Sequence, residues 1–360
     1  MADSGMMFEL SDAQQNGAVI KVIGIGGVIS CIGAYCFSIS IDFETALLSR
    51  ILMGSGLSCA FISLSAIVGR WFPIYQFAMM IAAAEVLGLL IAAISEQLLP
   101  GLFAAGYWRL FYQCVGFAAL VLATMVLIFM PDHDRSVRVL GLKQGIGQVL
   151  RFIKVKCLWV NGMISGVLFA LITGFIAGDA MQMLGAMPNM THDDAGLLCA
   201  ATLYGVVFGA AWVSYACLYY DMQKILKATI GCSLISAVAL LGFIWLPADA
   251  FWLRFAMGLI MGFFSASYLF SFRFVSDYLE GGEGKSILMG FTNMLSVMVG
   301  PIAMIVVGIL QRVVLEFRDA PILTDKLHAI TYQVTSSVFV LLLLFGAVLA
   351  RQLLINEKKT

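Results

Sequence analysis

The chain has 360 residues, of which 61% are apolar and only 12% charged, and its mean hydropathy is +0.98. A soluble domain is about half apolar and about a quarter charged, so this composition excludes a soluble domain and marks a membrane protein. The 21 basic and 21 acidic residues cancel, so net charge points to no partner and only the placement of charge is informative.

Residues 1–16 are polar and lack the basic start of a signal peptide, so they read as a cytoplasmic tail. A bilayer core about 30 Å thick takes about 20 apolar residues per helix. Ten segments meet that length: 17–41, 46–68, 72–95, 104–130, 157–184, 195–219, 226–246, 250–275, 286–314 and 328–353. They are too long for barrel strands and do not alternate strictly, so they are helices. The expected architecture is an all-α polytopic membrane protein. Four spans fill an N-terminal part (17–130), a basic linker follows (131–156), six spans form a C-terminal part (157–354), and 355–360 is a second cytoplasmic tail. Fifteen of the 21 Lys and Arg residues lie on the side of the termini or at span ends facing it; Arg50, Arg109, Arg254, Arg312, Arg318 and Lys326 lie opposite. That excess predicts cytoplasmic termini.

The second segment carries "LLSRILMGSGLS" (47–58), a permanent cation in an apolar run. Such a charge costs about 2.5–3.5 kcal/mol at a helix centre on insertion scales, and less near an end, where it snorkels. Positions i, i+4 and i+8 share a face, so Arg50 stands above Gly54 and Ser58, with Gly56 between them. Small residues there let a second helix come close. Glu85, mid-segment in the third span, is either a proton carrier or a neutral hydrogen-bonding group at a helix contact. In the fifth segment Asn161 lies near the inner end, and Asp179 is expected at the outer end in contact with solvent.

The eighth segment repeats the second. In "FWLRFAMGLIMG" (251–262), Arg254 falls on Arg50, Gly258 on Gly54 and Gly262 on Ser58, at an offset of 204. The ninth then repeats the third: "GFTNMLSVM" falls on "AAAEVLGLL" at an offset of 208, which sets Asn293 against Glu85. Internal repeats of this kind are typical of secondary transporters. Each arginine is either an interface anchor, a clamp for a substrate carboxylate, or part of a proton-coupling network. Asn293 is either a functional polar residue or hydrogen-bonding glue at a helix contact.

Eight cysteines without a CxxC pair and three scattered histidines make no metal or disulfide constellation and read as packing residues. No nucleophile-and-base arrangement appears, so the chain reads as no enzyme and needs no cofactor. "GGEGKS" (281–286) imitates the end of a P-loop, but Leu279 stands where the first glycine belongs and a membrane segment precedes it, so no nucleotide site is expected.

Taken together, these stretches resemble the major facilitator superfamily. "LLSRILMGSG" looks like that family's fourth-helix motif, with Gly54 and Gly56 at the matching places. "GRWFP" (69–73) resembles the end of that helix, "GYWRLF" (106–111) the entry to the sixth, and "GFTNML" (290–295) the asparagine region of the eleventh. "CLYYDMQKILK" (217–227) resembles the repeated loop motif through Asp221, Lys224 and Lys227, with Cys217 in place of its glycine. Residues 17–354 lie along family helices three to twelve, so the N-terminal half is expected to lack helices one and two. "GFFSASYLFSF" with "GFTNMLSV" is similar to phagosomal-type nutrient carriers of intracellular bacteria. The resemblance implies alternating-access transport of a small polar solute, of the amino-acid or nucleoside class, coupled to H+ or Na+ in a cell's inner membrane. It implies no nucleic-acid partner. Arg50, Glu85, Arg254 and Asn293 are the substrate or coupling candidates; Gly54, Gly56, Gly258, Gly262, Asp221 and Lys224 are the gating and packing ones. The alternative is a truncated, non-transporting membrane protein, or a remnant that depends on a partner chain.

Overall fold

The computed structural model describes residues 22–72, 77–129, 142–278, 285–316 and 325–357, and all regular structure among them is helical. In chain order the elements are α1 (Val22–Ile39), α2 (Phe43–Trp71), α3 (Phe77–Ala104), α4 (Trp108–Phe129), α5 (Leu142–Ile153) and α6 (Lys156–Ala170). A π-helical segment (Leu171–Ala180) continues α6 into α7 (Met181–Gly185), followed by α8 (His192–Tyr219) and α9 (Met222–Trp245). Next come α10 (Phe251–Ser265), a 3-10 turn (Ala266–Leu269), α11 (Phe270–Tyr278), α12 (Lys285–Glu316), α13 (Asp325–Ser336) and α14 (Val338–Glu357). Ten helical runs among the described residues are long and apolar enough to cross a membrane, four before α5 and six after it.

Two expectations need correction. The third span does not run over 72–95; its helix is Phe77–Ala104. The helix continues past Glu96 and Gln97 and through Pro100, and Gln97 receives a hydrogen bond from the Tyr204 hydroxyl at 3.1 Å. Glu85 therefore sits in the third turn of α3 rather than at its middle. The linker also contains a helix, α5, that its charge had masked. The rest of the linker's basic cluster, Arg135 and Arg138, lies outside the described residues. So do Lys21, Arg318, Lys358, Lys359, the tail 1–16 and the glycines of "GGEGKS".

Local signals explain several boundaries. Asp42 caps α2 by accepting from the Thr45 N–H at 2.7 Å. Thr191 and Asp194 form a reciprocal capping box at the start of α8. Gly106, at φ +85°, ends α3: its N–H bonds to the Phe103 carbonyl, and the Tyr107 N–H reaches back to the Leu102 carbonyl. That pair of bonds is a Schellman motif, and its left-handed residue favours glycine.

Contacts divide the chain into two compact units. The first comprises residues 1–81 and 102–148. There α1 and α2 touch backbone to backbone: a Cβ on Gly56 would lie 2.3 Å from the Gly26 oxygen, and one on Gly33 would lie 2.5 Å from the Met53 nitrogen. Gly54, the expected packing glycine, has nothing within 4 Å of such a Cβ. The thin face of α2 is thus set by Gly56.

The second unit comprises residues 82–101 and 149–360. Its tightest seam joins α8 to α10. Gly205 and Gly209 of α8 face the Leu259 and Phe263 carbonyls, at 2.2 and 2.1 Å from an added Cβ; Gly262 of α10 faces the Thr202 carbonyl at 1.9 Å. Gly205 and Gly209 of α8 and Gly262 of α10 thus let the two backbones approach closely, as membrane helices do when packing drives association, while Gly258 stays in ordinary contact with Ala201 and Leu198. Behind this seam Phe175, Phe243 and Phe339 are fully buried, with ring centroids 5.9 and 5.7 Å apart in edge-on and tilted contact.

Candidate functional site

The repeated arginines take different surroundings. Arg50, on α2, donates to the Tyr112 hydroxyl at 2.6 Å. Its guanidinium lies over the Phe37 ring at 4.3 Å and the Tyr112 ring at 4.9 Å. This cation–π cradle holds an exposed charge without neutralising it. Nearby, Arg109 stacks on Trp108 and donates to the Ser38 carbonyl at 2.8 Å, which satisfies a carbonyl at the end of α1.

Arg254 is wholly buried. It donates from Nε to the Phe243 carbonyl at 2.9 Å and from Nη2 to the Leu246 carbonyl. The last carbonyls of a helix have no partner within it; at the end of α9 Arg254 takes two of them and the Gln333 amide takes a third, that of Ile244, at 2.8 Å. The negative end of the α9 dipole also favours the cation. Of the three readings open to Arg254, the geometry matches an anchor: it rivets α10 to the end of α9.

Glu85 and Tyr268 meet in the second unit, where the Tyr268 hydroxyl donates to the Glu85 carboxyl at 3.3 Å. Tyr268 stands on the 3-10 turn between α10 and α11, and its ring leans on Phe169 at 4.6 Å. A 3-10 turn frees carbonyls from the α-helical ladder. Ser165 of α6 donates to the Tyr268 carbonyl at 3.2 Å and Asn161 to that of Ser271 at 3.1 Å. Ser296 of α12 touches Ser165 at 2.6 Å. A polar chain thus leads from α12 through α6 to the residue that holds Glu85. Asn293 is half-buried on α12, and its side chain makes no hydrogen bond with a described residue.

Asp179 overturns its expected place in solvent. It lies in the π-helical segment, buried, with the Gln311 amide donating to Oδ1 at 2.8 Å and the Ser336 hydroxyl within hydrogen-bonding distance of Oδ2. Asp221 and Lys224 form a helix start. The Asp221 carboxylate caps α9 by accepting from the Lys224 N–H at 2.8 Å, and the Lys224 ammonium lies 3.5 Å from it. These bonds hold the Asp221 carboxyl below the usual aspartate range. Among the described residues no cluster of His, Cys, Asp and Glu could hold a metal ion.

Sequence reasoning missed Tyr268 and the α8 glycines, and it placed Asp179 in solvent. The G-x-x-x-G spacing of 205 and 209 was visible in "YGVVFGAA" and could have found those glycines. Nothing local marks Tyr268 apart from its neighbours.

A family model of the Major Facilitator Superfamily matches residues 17–304. Among solved structures, a bacterial homolog of the human lysosomal transporter Spinster, inward-facing and occupied, superposes with a TM-score of 0.65 at 12% identity, covering 95% of this chain and 84% of that one. The E. coli fucose:proton symporter FucP superposes with a TM-score of 0.58 at 13% identity, covering 93% and 86%. Comparison with curated protein sequences returns no match.

Proposed function

Since the chain belongs to the Major Facilitator Superfamily and is a secondary transporter rather than an enzyme, we propose that it moves a small polar organic solute, of the amino-acid or nucleoside class, by alternating access coupled to H+ or Na+. The observation that carries the coupling is the contact of Glu85 with Tyr268. A carboxyl inside a membrane span is costly and is a functional site by default. Here it meets a hydroxyl placed on a break in the helix opposite, where a change of protonation alters a bond to the most irregular backbone of that span. Arg50 is the solute-side candidate in the first unit: its charge is oriented by aromatic rings and one hydroxyl, which leaves guanidinium donors for a carboxylate. Asn293, whose amide bonds to no described residue, is a further candidate polar contact for solute. Of the four candidate packing glycines, the close approaches at Gly56 and Gly262 support that role, Gly258 stands in ordinary contact, and Gly54 has no neighbour within 4 Å of an added Cβ. The excess of basic residues on the side of the termini supports an inner-membrane, multi-pass protein with both ends cytoplasmic. The fucose:proton symporter with the same fold is a precedent for proton coupling.

The test is uptake into proteoliposomes under an imposed gradient of protons or of Na+. Accumulation should collapse when the coupling gradient is dissipated. Glu85→Gln should lose gradient-driven accumulation while retaining solute exchange at equal concentrations. Accumulation indifferent to both gradients would remove the coupling, and wild-type behaviour of Glu85→Gln would remove Glu85 from it.

A further inference from the structure

Asp179 joins three elements of the second unit: the π-helical segment that carries it, α12 through Gln311 and α13 through Ser336. The Ser336 hydroxyl is fully buried, and besides Asp179 it lies 2.7 Å from the Tyr332 carbonyl oxygen. A serine hydroxyl has one hydrogen to donate, a carbonyl oxygen only accepts, and an ionised carboxylate only accepts. With Asp179 ionised, two acceptors compete for one hydrogen. With a proton on Oδ2, each contact is a hydrogen bond: Oδ2–H donates to Ser336, Ser336 donates to the Tyr332 carbonyl, and Oδ1 accepts from Gln311.

Among the described residues, no ion pair or hydrogen bond of another charged or titratable side chain reaches Asp179. Arg312 follows Gln311 on α12 but is exposed, and His192, Asp193 and Asp194 are exposed at the start of α8. Tyr332 lies one turn before Ser336 on α13, and its contact with this group is through its carbonyl. The ion pairs Asp221–Lys224 and Arg273–Asp277 involve other residues. The side chains of Asp325, Lys326 and His328 lie outside the described ones.

We propose that Asp179 is a proton-binding site of this protein, separate from Glu85, and that its bound proton ties α13 to the π-helical segment. A π-helical stretch widens the helix and recurs at functional sites; here it supplies the carboxyl that closes the network. Loss of the proton leaves Ser336 with two acceptors and sets α13 free to shift against α6 and α7.

The experiment uses the full chain in lipid nanodiscs, in the Glu85→Gln background so that the other carboxyl is silent. Infrared difference spectra between the parent and Asp179→Asn should show a protonated-carboxyl carbonyl band at neutral pH that the substitution abolishes. Ser336→Ala should move that band in frequency, since it removes the acceptor, an effect that a purely packing role for Ser336 does not produce. Asparagine reproduces the neutral hydrogen bonds, donating to Ser336 and accepting from Gln311. Asp179→Asn should therefore unfold at the parent's temperature, while Asp179→Ala unfolds earlier. Absence of the band difference in folded Asp179→Asn overturns the proposal, and so does an Asp179→Asn protein as unstable as Asp179→Ala. Either result leaves the role of Glu85 untouched.

Discussion

Gly258 and Gly262 invite one identical perturbation with opposite outcomes. They lie one turn apart on α10, and each faces α8. A Cβ on Gly262 would fall 1.9 Å from the Thr202 carbonyl oxygen, about 1.5 Å inside the 3.4 Å at which ordinary contact begins. The obstacle is backbone, so no rotamer change relieves it, and the two helices must part. Overpacking of this kind costs up to about 3 kcal/mol. Replacing a helical glycine by alanine recovers about 1 kcal/mol, so Gly262→Ala should lose about 2 kcal/mol net. At Gly258 the new Cβ would meet Ala201, the Leu198 carbonyl and Phe243 all at 3.4 Å. Gly258→Ala therefore keeps the propensity gain and should be neutral or stabilised by up to about 1 kcal/mol. The assay is thermal unfolding in detergent, read by the rise in reaction of a thiol-sensitive fluorophore as the buried Cys199 and Cys232 become accessible, over the signal of the exposed Cys114. Equal shifts for the two variants, or a Gly262→Ala protein that unfolds with the parent, would refute the seam as described.

The first unit offers the same contrast: Gly56→Ala, aimed at the Gly26 carbonyl, should destabilise, while Gly54→Ala should leave the unfolding temperature unchanged or raise it. Arg254→Met should lower stability by about 1–3 kcal/mol for each α9 carbonyl left buried without a donor, and Arg254→Lys should recover only part of it, because one ammonium does not reproduce the fork that reaches Phe243 and Leu246. Tyr112→Phe should leave the fold intact, since both stacking rings remain, and should raise the solute concentration needed for half-maximal uptake if Arg50 contacts solute. Asp221 sets a pH dependence of known sign. Its folded-state affinity for a proton is lowered, so its contribution to stability is full above the ordinary aspartate value of 3.8 and is lost as the pH falls through the lower folded value. Asp221→Asn, which keeps the cap but cannot ionise, should flatten that part of the acid unfolding profile.

Span number and helical class were legible because hydrophobic length is a local property of the chain. Their ends were less so. Glu96 and Gln97 carry polarity that normally ends a span, but the partner of Gln97, Tyr204, lies in α8, over a hundred residues away. The Arg50–Arg254 repeat was real as a pattern, yet the pattern is silent on chemistry. One arginine is met by aromatic rings and a hydroxyl, the other by the unfilled carbonyls at the end of α9, and neither set of partners lies beside its arginine in sequence. Asp179 was misplaced for the same reason: a carboxyl near a predicted span end looks solvated until Gln311 and Ser336 are brought to it by the folding of α12 and α13. Glu85 was picked out by its charge alone, whereas Tyr268 is one aromatic among many and acquires a role only through the turn that carries it.

The glycine seam also constrains how the second unit can move. Where Gly205, Gly209 and Gly262 press on facing carbonyls, the Cα hydrogens of one helix point at the oxygens of the other and make weak Cα–H···O bonds. At these three positions the facing atoms are backbone, and no rotamer change there accommodates a gradual slide. Helices α8 and α10 consequently behave as one double-stranded strut. The seam runs on into the 3-10 turn, where Ala266 faces Gly209, so the strut ends on the irregular backbone that carries Tyr268.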